Sequence, residues 1–139
     1  MANNVVHFEI GVDDIDRAKK FYEDVLGWAF QDLGEQYGGY TLVFPDGKVT
    51  DGPAEVGING GMMKRQGPAP AGGLSEANSF VCTVATDDVD SVVQKALAAG
   101  GKVQMEAADI PKVGRLAYLF DTEGNMFGVL KPVEGGAGM

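Results

Sequence analysis

His7-Phe-Glu-Ile-Gly-Val-Asp-Asp-Ile-Asp-Arg-Ala-Lys-Lys-Phe-Tyr-Glu-Asp-Val-Leu-Gly-Trp28 decides the architecture of this chain, because a later stretch reads the same way. Val6, Phe8, Ile10 and Val12 alternate with His7, Glu9 and Gly11, as in a strand with one apolar face. Asp13 or Asp14 then caps a helix, with Ile15, Ala18, Tyr22, Val25 and Leu26 as its apolar stripe and Gly27 as its stop. The later stretch runs from Val81 to Lys102. Laying His7 over Val81 puts Asp13, Asp14 and Asp16 on Asp87, Asp88 and Asp90, Ile15 on Val89, and Gly27 on Gly101. An internal repeat of this kind means two similar modules, with function expected between them.

Outward from these stretches the remaining elements fall into place. After the first helix, strands are expected over 28–33, 40–44 and 56–63, with a strong turn at Pro45-Asp46-Gly47. Gly57, Gly60 and Gly61 weaken the last of these and mark a close approach by another backbone or a ligand. In the second copy, strands are expected over 79–85, 102–107, 115–120 and 126–131. A helix there carries Val89, Val92, Val93, Ala96 and Leu97 on its apolar stripe and stops at Gly100-Gly101. The expected class is α+β, one domain over 1–139 built of two tandem β-α-β-β-β modules. Module 1 covers 5–65, a Pro/Gly-rich linker 66–78, module 2 79–133, and 134–139 is a tail expected to be disordered.

Composition narrows the function classes. The 139 residues are 45% hydrophobic and 22% charged, which allows a sizeable core. A net charge of −9 argues against nucleic acid as a partner, since phosphate neutralisation needs the opposite sign. No apolar run reaches the length of a membrane span, and the N-terminus lacks the pattern of a signal peptide, so a cytoplasmic location and no membrane partner are expected. Cys82 is the one cysteine; it is expected to be a buried small hydrophobe facing the helix layer.

Three features together resemble the vicinal oxygen chelate superfamily, which includes glyoxalase I, bleomycin-resistance proteins and extradiol dioxygenases. They are His7 with Val12 and Asp14, the helix end Phe21-Tyr-Glu-Asp-Val-Leu-Gly27-Trp, and the closing Phe120-Asp-Thr-Glu-Gly-Asn125-x-Phe-Gly. Within it the chain looks most like bacterial proteins described as related to lactoylglutathione lyase. The resemblance implies curved sheets around a shared cleft, and a homodimer. It also implies a divalent ion held by four residues, from the first and last strands of each module. His7 stands at the first of those places; the others are occupied by Val81, Gly128 and about Gly60. One imidazole is a poor site, because transition metals take three or four protein ligands. No cofactor is therefore expected. The alternative is a divalent ion held by His7 with Glu9 or Asn59 and borrowed carboxylates.

The candidate site residues follow from the same reasoning. His7 and Glu9, two apart on one strand, share a face, and they are the candidates for catalysis and for ligand contact. The bland alternative is a quietly bonded imidazole beside a solvated carboxylate. Asn59, Arg115 and Tyr118 are further candidates for ligand contact, Arg115 as a partner for an anion; a surface arginine and packed aromatics are the plain readings. Tyr40 lines the cavity or fills the core. The repeated aspartates read as helix caps, and the glycine-rich run 57–62 lacks the ending of a phosphate loop. Two functions are carried forward. One is a small-molecule-binding protein without the four-ligand metal site. The other is a lyase or isomerase with His7 as base or surviving ligand.

Overall fold

The structure is a computed structural model and describes residues 5–68 and 81–133. The chain divides into two compact units, Met1–Ala69 and Pro70–Met139, with the boundary inside the stretch read as the linker. Linker residues 69–78, the first two residues of the strand expected over 79–85, and the tail 134–139 lie outside the described residues.

The first unit contains β1 (Phe8–Val12), α1 (Ile15–Leu26), β2 (Ala29–Asp32), a short 3-10 turn at Glu35–Tyr37, β3 (Thr41–Phe44) and β4 (Gly60–Lys64). Its sheet has the order β1-β4-β3-β2. The last strand lies parallel beside the first, and the other pairings are antiparallel. The second unit repeats this plan with β5 (Thr83–Ala85), α2 (Val89–Ala98), β6 (Lys102–Ile110), β7 (Gly114–Phe120) and β8 (Met126–Pro132), in the order β5-β8-β7-β6. The repeat read from the aspartates is thus a repeat of topology.

The aspartates do cap. Asp14 accepts from the Arg17 N–H at 3.1 Å and Asp88 from the Ser91 N–H at 3.0 Å, which satisfies donors that the first helical turn leaves without partners. Gly27 closes α1 in the left-handed region at φ 72°. Ala18, Phe21, Tyr22 and Val25 form the buried stripe of α1, so Phe21 belongs to it while Ile15 and Leu26 sit at its margin. In α2 the buried residues are Val89, Val92 and Ala96; Leu97, expected inside, is exposed because it lies past the edge of that stripe.

β4 begins at Gly60, four residues later than the strand expected from Val56. Gly57, at φ 78°, interrupts extended backbone, and Val56 is left exposed in the loop. On the helix-facing side of the first sheet, Phe8 lies across Gly60. A Cβ there would come within 2.6 Å of the Phe8 ring. Phe8 meets Trp28 at 5.7 Å, Trp28 stacks on Tyr22 of α1 at 4.8 Å, and Phe21 meets Tyr22 edge-on. Asp32 ties β2 to its neighbours, accepting from the buried Thr41 hydroxyl of β3 at 2.7 Å and from Lys19 of α1 at 2.9 Å. These bonds hold its carboxyl below the usual range, Thr41 first.

Gly60→Ala is expected to destabilise the protein by about 1–3 kcal/mol, the usual cost of overpacking. Urea unfolding followed by the fluorescence of the only tryptophan, Trp28, measures this. An unchanged midpoint would mean that Phe8 does not depend on the space above Gly60.

Candidate functional site

β1 and β4 are parallel and in register, so Glu9 stands beside Gly61, and Gly61 in turn beside Leu42 of β3. Side chains alternate along strands, so these three share the face turned away from Phe8 and Trp28. His7, just before β1, and Tyr40, just before β3, belong to the same face by parity. On it the Tyr40 ring crosses directly over Gly61; a Cβ at 61 would collide with its hydroxyl and ring carbons. The tyrosine can therefore span the whole width of β4 and reach β1.

There it makes two bonds. Its hydroxyl donates to Glu9 Oε2 at 2.9 Å and lies 2.8 Å from His7 Nε2. A phenol has one proton, and it goes to the carboxylate. His7 must therefore donate through Nε2–H, which fixes the tautomer of the chain's only imidazole. The result is a directed relay, His7 to Tyr40 to Glu9, on an exposed sheet face. Desolvation, and then the bond to the Glu9 carboxylate, push the Tyr40 phenol up to about 12.

His7 and Glu9 are thus brought together as their spacing implied, with Tyr40 as the link. From sequence, Tyr40 reads only as a residue that lines the cavity or fills the core. The available signal was the Gly60-Gly61 pair, read as a close approach by backbone or ligand. What approaches is two aromatic side chains, Phe8 on one face and Tyr40 on the other.

The remaining candidates are placed differently. Asn59 donates through Nδ2 to the Gly52 carbonyl at 3.3 Å, and so closes its own loop. Arg115 is bidentate to Asp90 of α2, at 3.0 and 2.9 Å, and reaches Asp109 of β6 at 3.2 Å. Its guanidinium faces the helix, where the hydrogen bonds to Asp90 and then Asp109 raise its pKa, and the expectation of an anion partner gives way to this ion pair. Tyr118 is three residues along β7 and so points to the opposite face. There it flanks Gly128, in line with Thr83; a Cβ at Gly128 would meet Thr83 Oγ1 at 2.8 Å and Tyr118 Cε1 at 3.1 Å. Cys82, expected to be buried, is exposed just before β5, and partial desolvation still raises its thiol.

The register also corrects one ligand place. Gly128 lies between Thr83 and Tyr118 as Gly61 lies between Glu9 and Leu42, so the module-1 counterpart of Gly128 is Gly61 and not Gly60. One residue of shift is a change of face. The four places that the resemblance implies then hold His7, Gly61, Val81 and Gly128. Among the described residues no group of three or more His, Cys, Asp or Glu converges as a metal site. A glutamate at 61 would have to displace the Tyr40 ring, and one at 128 would press on Thr83 and Tyr118. The donor set does not fit the divalent ion.

A sequence model described as the Glyoxalase/Bleomycin resistance protein/Dioxygenase superfamily matches residues 4–129. The putative glyoxylase CFP32 of Mycobacterium tuberculosis is 40% identical over 124 residues, which cover 89% of this chain and 42% of that protein; the chain thus spans less than half of that relative. Among solved structures, the fosfomycin resistance protein FosX of Listeria monocytogenes, complexed with Mn(II), superposes with a TM-score of 0.69 at 15% identity over 96% of this chain and 93% of that one. TnmS3, an antibiotic binding protein from Streptomyces sp. CB03234, gives 0.66 at 23% identity over 95% and 98%. At these identities the two structures speak to the fold alone.

In an ultraviolet pH titration, the difference between wild type and Tyr40→Phe is expected to be a phenol ionising near 12, not near 10. Since the folded pKa is the higher one, this group's contribution to stability is complete below about pH 10 and is lost as pH rises toward 12. A wild-type titration in which every tyrosine ionises near 10 would contradict the relay.

Proposed function

The chain belongs to the Glyoxalase/Bleomycin resistance protein/Dioxygenase superfamily, and from that premise we propose that it is a small-molecule-binding member that holds its ligand without the family's four-residue metal site. The observation that carries this reading is Tyr40 lying over Gly61 and joining His7 to Glu9. The last-strand place of module 1 is filled by a phenol that organises a polar handle, and the same place in module 2 is a glycine flanked by Tyr118. Beside the handle on the same face lie Leu42 and Met63, giving the mixture of apolar wall and few polar groups that ligand sites use. We read the working form as a homodimer.

One feature favours a second reading, a lyase or isomerase with His7 as base. The relay engages Nε2 of His7 and leaves its Nδ1 as the atom that could accept a proton from a substrate.

Thermal-shift screening of small organic compounds separates the two. Under the binding reading, stabilising compounds emerge, their effect survives a strong chelator, it is lost in Glu9→Ala and Tyr40→Phe, and no compound is consumed. Turnover abolished by His7→Ala would transfer the assignment to the enzyme. A stoichiometric divalent ion, found by elemental mass spectrometry and lost in His7→Ala, would overturn the metal-free site. The homodimer is checked in the same preparation by size-exclusion chromatography with light scattering, where a purely monomeric mass would refute it.

A further inference from the structure

The relay has a direction, and the direction selects a ligand. Tyr40 commits its one proton to Glu9 Oε2, and His7 commits its Nε2–H to the Tyr40 oxygen. Both donors of the trio are engaged. What remains is Glu9 Oε1 and, in this tautomer, the lone pair on Nδ1 of His7. Neither atom has a partner among the described residues. Both are acceptors only.

The surroundings sharpen this. The side chain on the same face nearest in sequence that carries a positive charge is Arg65, just past β4. It donates to the Gly11 carbonyl at 2.7 Å and pairs with Asp13 at 3.1 Å. It is held at the far end of β1. Leu42 and Met63, beside Gly61 on this face, are apolar. The whole chain carries a net charge of −9. An anionic head group placed on the trio would meet a carboxylate and two lone pairs with no donor to receive it, and unpaired polar groups of this kind weigh heavily against binding.

Resting on the binding role proposed above, we infer that the His7–Tyr40–Glu9 face takes ligands whose polar group is a hydrogen-bond donor, above all an ammonium attached to an apolar or aromatic body, and rejects carboxylates and phosphonates. The ammonium lies against Glu9 Oε1, and the apolar body lies along Leu42, Met63 and the Tyr40 ring. A charge-assisted bond to the carboxylate separates an ammonium from a neutral hydroxyl of the same shape.

The test uses three probes of one shape: 2-naphthylmethylamine, 2-naphthylmethanol and 2-naphthoate. Each is titrated into the full chain near neutral pH and physiological salt, with the imidazole resonances of the single histidine and the ring resonances of Tyr40 as readout. The amine is expected to bind tightest, the alcohol about tenfold more weakly, and the carboxylate to leave both residues unperturbed. Glu9→Gln removes the charge, keeps the shape, and is expected to weaken the amine about tenfold. If the carboxylate binds as well as the amine, or if Glu9→Gln leaves the amine unchanged, the acceptor assignment is wrong while the binding face stands. If no probe perturbs His7 or Tyr40 up to millimolar concentration, the binding face itself falls, and the ligand class with it.

Discussion

The open face of the first sheet depends on one missing side chain. Gly61 lies in β4 between Glu9 and Leu42, and the space its Cβ would take is filled by Tyr40. A strand spacing of about 5 Å is too wide for neighbouring short side chains to bond across an intervening strand. A phenol laid flat over a glycine bridges it. Any larger residue at 61 would lift the ring, part the hydroxyl from Glu9 Oε2 and Nε2 of His7, and leave two unconnected polar groups on an open surface. On the other face Gly60 does the same for Phe8, so two successive glycines serve opposite sides of the sheet and join the site to the aromatic stack under α1.

The second unit shows what the same topology does with different residues. Thr83, Gly128 and Tyr118 stand in line as Glu9, Gly61 and Leu42 do. Thr83 replaces the carboxylate, Val81 replaces the imidazole in the repeat, and no relay can form. The charged chemistry of this unit lies on the other side of its sheet, where Arg115 fastens β7 to α2 and β6 through Asp90 and Asp109. Exposed ion pairs contribute modestly, but a bidentate guanidinium fixes orientation as well. The two copies share a topology but set their charged side chains differently, Arg115 toward α2 in one and Glu9 on the opposite sheet face in the other.

Much of this was legible before the fold was seen. The paired aspartates announced two capped helices, and Asp14 and Asp88 cap them. The two-residue spacing of His7 and Glu9 put them on one face. Parity carries further information: Arg115 and Tyr118 are an odd number of residues apart on one strand and cannot share a face. Cys82 and Leu97 were read as inward because local periodicity was extended to the ends of elements, where a strand begins or a helix stripe has already turned away.

The sequence by itself determined the repeat, the α+β plan and the helix ends, because these follow from local spacing. Only the tertiary structure decided that Gly61, not Gly60, matches Gly128, and that Tyr40 completes the site. Both depend on the register between strands far apart in the chain. Tyr40 is 31 residues from Glu9 and meets it only because β4 comes between them carrying a glycine at that point. Periodicity can assign a side chain to a face; pairing across a sheet decides which side chain lies beside it.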